Sequence, residues 1–496
     1  MFQTKYKMKK LILFILILFY SNIINAQNNP DQKNYTISKS EIESQIYFLA
    51  SDELRGRKTG STEIDIAAVY LANILRQYKV KPKGDNNSYY QYVPLEKTSQ
   101  AKQLSIKLDD LSSEKIIPIQ FSNNISLKND AIYLNFGLEA DYKDKDVNGK
   151  LIIVKSGIEE SNDPNSGFSS ISEKQKLAKK HGAIGIIELT KANDDFFNRH
   201  LSNANVEKIK LSNSEEDSFI HFWLQDANGS IAEQLSQTKK INLELTVSGI
   251  IKEKILSRNI IGMVEGTDPI LKNEFVIFAA HYDHLGVGKP NEQNDSIYNG
   301  ARDNAVGVVA VLNAAKNISK YPTKRSALFI LFTAEEVGYM GSKWFVEHPV
   351  VPLNKTVYCF NIDNGGYNDT SIVTIVGLER TTANQNITDA VKQSNLRAIE
   401  TRKEEKGLFY FSDNISFAKK GIPTSTYSLG FTAFDDEIYK YYHNVSDNPD
   451  TLDYNYLVRF INGYILSCKL IANNKKPFWI VGDEFYEIGK ELYGEN

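Results

Sequence analysis

Three continuous apolar runs in the second half of the chain restrict what it can fold into. They cover residues 275–280, 326–333 and 356–362, and each has the length of a single strand. Residues 304–318, between the first two runs, have apolar positions at helical spacing. A strand that is apolar on both faces must be covered on both faces. The sequence therefore predicts an α/β fold with a mixed, largely parallel central sheet flanked by helices.

The pattern of the chain changes twice along its 496 residues, which are too many for one ordinary core. Residues 27–98 are mostly helical in pattern and are predicted to form the first part of the main domain. Short alternating strands dominate residues 99–252, which we predict to be an inserted, mostly β domain with one or two helices. Residues 253–496 carry the apolar strands and are predicted to complete the main domain.

The first 26 residues have the pattern of a secretory signal peptide. Four lysines within residues 5–10 precede an apolar stretch at 11–20, and Asn25-Ala26 offers a small-residue cleavage site before Gln27. A permanent membrane anchor is the alternative, but the stretch is interrupted at Ser21 and is shorter than the ~20 apolar residues of a spanning helix. We therefore expect export to the periplasm or the extracellular space, with no stable membrane insertion after cleavage.

Net charge and cysteine content argue against a nucleic-acid partner and against a cysteine-based zinc site. The formal net charge is -3, so a nucleic-acid partner is not expected. Cys359 and Cys468 could pair only if the fold brings them together, and their apolar surroundings favour buried thiols. Without a cluster of thiolates, a cysteine-based structural zinc site is excluded.

Side chains that bind metals occur where the apolar runs end. In open α/β sheets, ligands collect beyond the carboxyl ends of the strands. Two metal ions that share one carboxylate need a set of nitrogen and oxygen donors of this kind, with a free carboxylate to handle protons. Glu335 and Asp283 are the spare carboxylates. The candidate metal ligands are His281, Asp303, Glu336, Asp363 and His443.

Each of these residues has an ordinary explanation when it is taken alone. Asp303 stands before an apolar helix and could be its N-cap. Glu335 and Glu336 could be a solvated acidic pair, although charge directly after a buried strand costs free energy unless it is paired or coordinated. A single His443 in a loop would be unremarkable. It is the combination, in one order along the chain, that indicates a metal site.

Five motifs together resemble those of the co-catalytic di-zinc aminopeptidases. The motifs are His281-x-Asp283, Asp303-Asn304-Ala305, Glu335-Glu336-x-Gly338, Asn361-x-Asp363 and Tyr442-His443. The resemblance implies two Zn²⁺ per chain, one held by His281 and Asp363, the other by Glu336 and His443, with Asp303 bridging. It also implies that Glu335 is the general base and acid and that Asp283 orients His281.

The resemblance extends to both other parts of the chain. Residues 49–57 resemble the opening of exported members of the family, and residues 149–154 and 181–185 look like the protease-associated domain that is inserted in many relatives. There are two departures from the family pattern. Asn414 stands where relatives often have histidine, which affects substrate contacts more than metal binding, and Arg302 stands where an acidic residue is common.

The function implied by the resemblance is that of an exported zinc exopeptidase that acts on peptides, most simply an aminopeptidase. A carboxypeptidase, a dipeptidase or a glutaminyl cyclase of the same architecture is an alternative. A non-catalytic binding module, as in the transferrin-receptor-like relatives that have lost ligands, is another. The intact ligand set and Glu335 favour the enzyme, whereas the preferred substrate residue and the oligomeric state stay open.

Overall fold

The computed structural model describes residues 37–159, 165–212, 217–238 and 240–495. The predicted signal peptide, residues 1–26, lies outside the described residues. Among the helices in the described ranges, none combines the length and the apolar character needed to cross a bilayer.

The strands are short except for three that reach nine residues or more. In chain order they are β1 (Lys81–Pro82), β2 (Tyr90–Thr98), β3 (Gln103–Leu108), β4 (Leu111–Ser113), β5 (Ile116–Gln120), β6 (Ile125–Tyr133), β7 (Leu151–Lys155), β8 (Gly185–Thr190), β9 (Lys208–Leu211), β10 (Ile220–Gln225), β11 (Ile241–Ser248), β12 (Lys252–Val264), β13 (Phe275–His281), β14 (Gly286–Val287), β15 (Ile297–Tyr298), β16 (Ser326–Phe332), β17 (Thr356–Ile362), β18 (Ile372–Val376), β19 (Arg397–Glu400) and β20 (Thr424–Leu429).

The α-helices range from one turn to 20 residues. In chain order they are α1 (Lys39–Leu49), α2 (Thr62–Gln77), α3 (Ser166–Lys180), α4 (Asp194–Ala204), α5 (Ser230–Ser236), α6 (Gly307–Lys320), α7 (Met340–Glu347), α8 (Asn384–Gln393), α9 (Asn414–Ala418), α10 (Asp436–Tyr439), α11 (Tyr454–Asn473) and α12 (Tyr486–Tyr493).

Two compact units divide the chain. The described residues up to Val93 and those from Leu256 onward form the first unit, and Pro94–Ile255 form the second. The chain leaves the first unit within β2 and returns to it within β12.

A mixed sheet forms the centre of the first unit, with strand order β19-β18-β20-β17-β13-β16-β12. The four strands β16, β13, β17 and β20 are parallel to one another. β12 is antiparallel to β16, and β18 is antiparallel to β20. His281 at the end of β13 is in register with Phe332 at the end of β16. The residues that follow these strands therefore emerge at the same edge of the sheet.

Both faces of this sheet are covered, as the apolar runs require. Alternate residues of β13 point into two separate cores: Val276 and Phe278 pack in the core that contains α6 and α11, whereas Ile277 packs with Phe345 of α7 and Phe417 of α9. Helix α6 is buried almost throughout. These findings confirm the predicted α/β fold class.

The second unit is built around its own mixed sheet, with strand order β4-β3-β11-β6-β7-β8-β10-β5. The strands β6, β7, β8 and β10 are parallel, and the outer pairs are antiparallel. The described part of this unit contains three α-helices, α3, α4 and α5, where the sequence pattern indicated one or two helices. Helix α4 was hard to foresee because only Phe197 among its residues is buried.

Candidate metal centre

The end of β13 delivers two buried histidines and one buried aspartate. His281 and Asp283 are at most 1% exposed. The Nδ1 atom of His281 lies 3.2 Å from the Asp283 carbonyl oxygen and 3.9 Å from the Asp283 carboxylate. That carboxylate also accepts hydrogen bonds from the backbone N–H groups of Glu335 (3.1 Å) and Glu336 (3.4 Å) and from the hydroxyl of Thr59 (2.9 Å). Asp283 thus holds the Glu335-Glu336 turn as well as facing His281.

Asp303 lies in a helical turn, Ala301–Val306, that precedes α6. Its backbone departs from helical geometry, and the N-cap residues of that turn and of α6 are Gly300 and Val306, so Asp303 is the N-cap of neither. One carboxylate oxygen is 3.3 Å from His281 Nε2, and the other is 3.2 Å from His443 Nε2. The carboxylate therefore faces two different imidazoles, which is the arrangement expected of a bridging ligand.

Asp363 and Glu336 complete the two sides of this arrangement. Asp363 follows β17 directly, and its Oδ1 atom is 3.1 Å from His281 Nε2. Glu336 follows β16, and its Oε2 atom is 3.4 Å from His443 Nε2. The structure thus brings all five predicted ligands together as two groups that meet at Asp303.

The composition of this cluster fits zinc. Groups of His, Asp and Glu, among them His281 with Asp303 and Asp363, have ligand atoms within 4.8 Å of one another. Imidazole nitrogens and carboxylate oxygens are the usual ligands of zinc in sites that contain no cysteine. Two imidazoles and three carboxylates, one of them shared, fit a pair of zinc ions.

Opposing charges keep two of the carboxylates ionised. Burial raises the pKa of Asp303, but His284, His281 and His443 outweigh it, and the pKa lies well below its usual range. Burial and Asp303 raise the pKa of Glu336, but His284 and His443 outweigh them and lower it to about 2. Both groups are therefore present at neutral pH in the form that binds a cation.

Glu335 has a different environment from its neighbour. It is 8% exposed and lines the cavity beside the cluster. Burial raises its pKa well above the usual range, His281 opposes this, and Asp363 and Glu336 add to it. A carboxylate with a raised pKa holds a proton more readily, which suits a group that accepts and returns protons.

His284 is a further residue of the centre, and the sequence reasoning gave it no role. It is 1% exposed, and its Nδ1 atom lies 2.7 Å from Glu336 Oε1. It also faces Asp303, with Nδ1 3.9 Å from Oδ2. The sequence offered a signal, since His284 is the third residue after β13, but the direction of its side chain depends on the backbone turn there.

The two departures from the family pattern lie close to the centre. Arg302 is buried, pairs with Asp447 at 3.0 Å and stacks on the Tyr441 ring at 3.7 Å, so its charge is compensated. Asn414 is fully buried, and its amide donates to the Phe409 carbonyl. Burial raises the pKa of the adjacent Asp413 to about 7.

A cavity of 730 Å³ opens onto the cluster. Its lining includes the acidic and imidazole groups of His281, Asp303, Glu335, Glu336, Asp363 and His443. The lining also includes apolar side chains, among them Leu408, Phe411 and Phe431. The cavity can therefore accept a molecule with a cationic or polar end and an apolar end.

The cluster lies at the carboxyl edge of the α/β sheet, within a stretch of the chain that matches a known family. Residues 259–465 match the family model of peptidase family M28. The matched region contains every candidate ligand.

Two curated proteins with similar sequences are named as aminopeptidases. The chain is 26% identical over 235 residues to the probable leucine aminopeptidase 2 of Aspergillus oryzae, covering 47% of this chain and 41% of that protein. It is 30% identical over 135 residues to aminopeptidase YwaD of Bacillus subtilis, covering 27% of this chain and 26% of that protein. The chain thus spans less than half the length of these curated relatives.

A solved structure extends the comparison to nearly the whole described chain. The aminopeptidase from Aneurinibacillus sp. strain AM-1 superposes with a TM-score of 0.58 at 20% identity, covering 88% of this chain and 95% of that one. At this level of identity the likeness shows that the two proteins share a fold.

Proposed function

We propose that this protein is a zinc-dependent aminopeptidase that removes N-terminal residues from peptides. The observation that carries the proposal is the meeting of five nitrogen and oxygen donors around Asp303, with the buried Glu335 beside them. The aminopeptidase activity of the relatives named above supports it.

In this proposal His281 and Asp363 would hold one zinc ion, Glu336 and His443 would hold the other, and Asp303 would be shared between them. Zinc, when bound, would supply Lewis-acid polarisation of the scissile carbonyl and activation of water. Glu335 is placed to accept a proton from an attacking water molecule and to return it to the leaving amine. Asp283 supports the site by facing His281 and by holding the Glu335-Glu336 turn.

The residues that line the cavity support the proposal of an exopeptidase that recognises a free amino terminus. Glu404 and Glu405, which are not among the proposed zinc ligands, also line the cavity and can attract a substrate ammonium group. The apolar side chains of Leu408, Phe411 and Phe431 in the lining suit the side chain of the first residue.

Two further parts of the proposal concern the rest of the chain. Residues 1–26 act as a signal peptide, so that the mature protein works in the periplasm or outside the cell. Pro94–Ile255 is an inserted domain of the protease-associated type. The resemblance of residues 149–154 and 181–185 to such domains supports this assignment.

Metal analysis combined with a substrate panel tests the proposed activity. The purified mature protein should carry close to two zinc equivalents and release leucine and other apolar residues from peptides with free amino termini. A chelator should abolish this activity, and added zinc should restore it. Full activity in chelator, with no bound divalent ion, would refute the proposal.

The same panel separates the alternatives. Cleavage of N-blocked peptides from the carboxyl end indicates a carboxypeptidase, cleavage restricted to two-residue substrates indicates a dipeptidase, and ring closure of N-terminal glutamine indicates a glutaminyl cyclase. A protein that binds zinc but turns over none of these substrates is a binding module.

A further inference from the structure

A buried arginine from the N-terminal part of the chain lies behind the metal centre. Arg57 is 1% exposed, and its guanidinium group donates only to backbone carbonyl groups in the hydrogen bonds that it forms with described residues. Nε donates to the Tyr282 oxygen (2.9 Å), Nη1 to the oxygens of Asn299 (2.7 Å) and Leu49, and Nη2 to the Gly300 oxygen (3.1 Å).

Three of these four carbonyl groups belong to the two loops that carry proposed ligands, and the fourth, that of Leu49, lies at the end of α1. Tyr282 lies between His281 and Asp283, and the Asn299-Gly300 pair leads into the turn that contains Asp303. Arg57 therefore connects the backbones of both loops, although 225 residues separate it from Tyr282 in the chain.

Neighbours of Arg57 reinforce the same connection. The side-chain amide of Asn299 donates to the Ala50 carbonyl (3.0 Å) and to Asp52 (2.8 Å). The hydroxyl of Thr59 donates to the Asp283 carboxylate (2.9 Å). We call residues 49–59 the anchor segment, because they hold both ligand loops from behind.

The charge of Arg57 is placed to act on the same loops. Burial lowers the pKa of Arg57 to about 10, while the carboxylates of Asp303 and Asp283 oppose this shift. The guanidinium group is therefore a cation at neutral pH. An isolated buried cation is costly, and the field of the nearby carboxylates offsets that cost.

We propose that Arg57 is a positioning residue of the metal centre. It fixes the backbone beside His281 and ahead of Asp303 so that both side chains reach a common ion, and its charge offsets part of the repulsion among the carboxylates. This inference rests on the proposed metal-dependent function. Lysine cannot replace Arg57 in this role. The planar guanidinium group reaches the carbonyl groups of both loops at once, and a single ammonium group cannot.

Arg325 offers a matched control for a substitution at Arg57. It is also buried, at 3% exposed, and it pairs with Glu274 at 2.7 Å and donates to the Asn474 carbonyl. It immediately precedes β16, whereas Glu335 and Glu336 follow the other end of that strand. Arg325→Lys therefore disturbs a buried arginine of the same unit without touching the ligand loops.

The experiment compares zinc affinity, kcat, KM and Tm of the full mature protein with Arg57→Lys and Arg325→Lys. Zinc affinity is measured by competition with chelators of graded strength at a temperature well below the lowest Tm. We expect Arg57→Lys to weaken zinc binding by about 10- to 100-fold, the usual effect of losing a group that orients a metal ligand. Excess zinc should restore kcat, and KM should change little. Arg325→Lys should lower Tm and leave zinc affinity unchanged.

Equal zinc affinities for wild type and Arg57→Lys, with only a lowered Tm, would show that Arg57 is structural and would overturn the inference. Thr59→Val is the second test if Arg57→Lys does not fold. It removes one hydroxyl from the anchor segment and should weaken zinc binding in the same direction. Unchanged zinc binding in Thr59→Val would then count against the inference. A wild-type protein without zinc or peptidase activity would instead refute the proposed function itself.

Discussion

Glu335 and Glu336 are adjacent in the chain but differ in every contact that decides their chemistry. The oxygens of Glu336 face His284 at 2.7 Å and His443 at 3.4 Å, so this carboxylate is held in place and ionised. Burial and neighbouring carboxylates raise the pKa of Glu335. A turn after β16, rather than a regular strand, allows both side chains to reach the same edge of the sheet.

This difference predicts different effects of the substitutions Glu335→Gln and Glu336→Gln. Glu335→Gln preserves size and both metals but removes the base, so kcat should fall by at least about 100-fold with zinc content unchanged. Glu336→Gln should instead lower zinc content. Steady-state kinetics and metal analysis of both variants decide the matter. Near-wild-type turnover in Glu335→Gln would disprove its role, and loss of zinc from that variant would mean that the two roles are exchanged.

A second buried charge cluster joins elements of the inserted unit. Glu188 on β8 is fully buried, and its carboxylate lies 2.7 Å from Lys174 of α3 and 2.9 Å from His221 of β10. It also accepts a hydrogen bond from the Trp223 indole at 2.7 Å. Because every partner comes from α3 or β10, this carboxylate holds a helix and a neighbouring strand against β8.

Glu188→Gln should therefore destabilise the second unit by about 3 to 5 kcal/mol at pH 7, since it removes the carboxylate that pairs with the buried Lys174 and leaves only the hydrogen bond of Lys174 to the Lys155 carbonyl. Hydrogen exchange of β8 and β10 in the full-length protein measures this loss locally. Glu244→Gln on β11 is the control, because its pairing with Lys128 is at the surface and should contribute no more than about 1 kcal/mol. Equal protection in both variants would contradict the prediction.

The same carboxylate predicts how the unit responds to acid. Burial raises the pKa of Glu188, but His221 and Lys174 outweigh it and hold the pKa below its usual value. A lowered pKa in the folded state stabilises the fold above the unfolded pKa of about 4.3, and this contribution is lost as the pH falls further. Exchange protection of β8 should thus decline below about pH 4 in the wild type and depend less on pH in Glu188→Gln.

At the scale of the whole molecule, the first unit is assembled from two separate stretches of chain. In the sequence, the residues of the second unit lie between these two stretches. The anchor segment of the first stretch supports ligand loops of the other. An intact metal centre therefore requires both ends of the chain to fold together, which is why Arg57 is tested in the full mature protein.

Export is a prediction about the whole chain. Because a cleaved signal peptide would end at Ala26, protein recovered outside the cytoplasm should begin near Gln27 when its amino terminus is sequenced. A mature protein that still begins at Met1 or Met8 would favour the membrane anchor instead.

The fold class and most of the residues that meet in the centre could be predicted from the sequence. Apolar runs such as 356–362 mark buried strands, and the polar residues that follow them must emerge at the carboxyl edge of a parallel sheet. That inference needs only local pattern and the geometry of parallel strands. It was enough to bring His281, Glu336 and Asp363 to one place.

The orientation of these side chains relative to one another depends on the tertiary structure. Three features of the centre depend on contacts between distant segments of the chain. They are the pairing of each Asp303 oxygen with a different imidazole, the approach of His284 to Glu336, and the position of Arg57 behind two loops. Such contacts are set by how elements pack, and no local period in the sequence encodes them. For the same reason, the hydrogen bonds from the backbone N–H groups of Glu335 and Glu336 to the Asp283 carboxylate could not be predicted from the sequence.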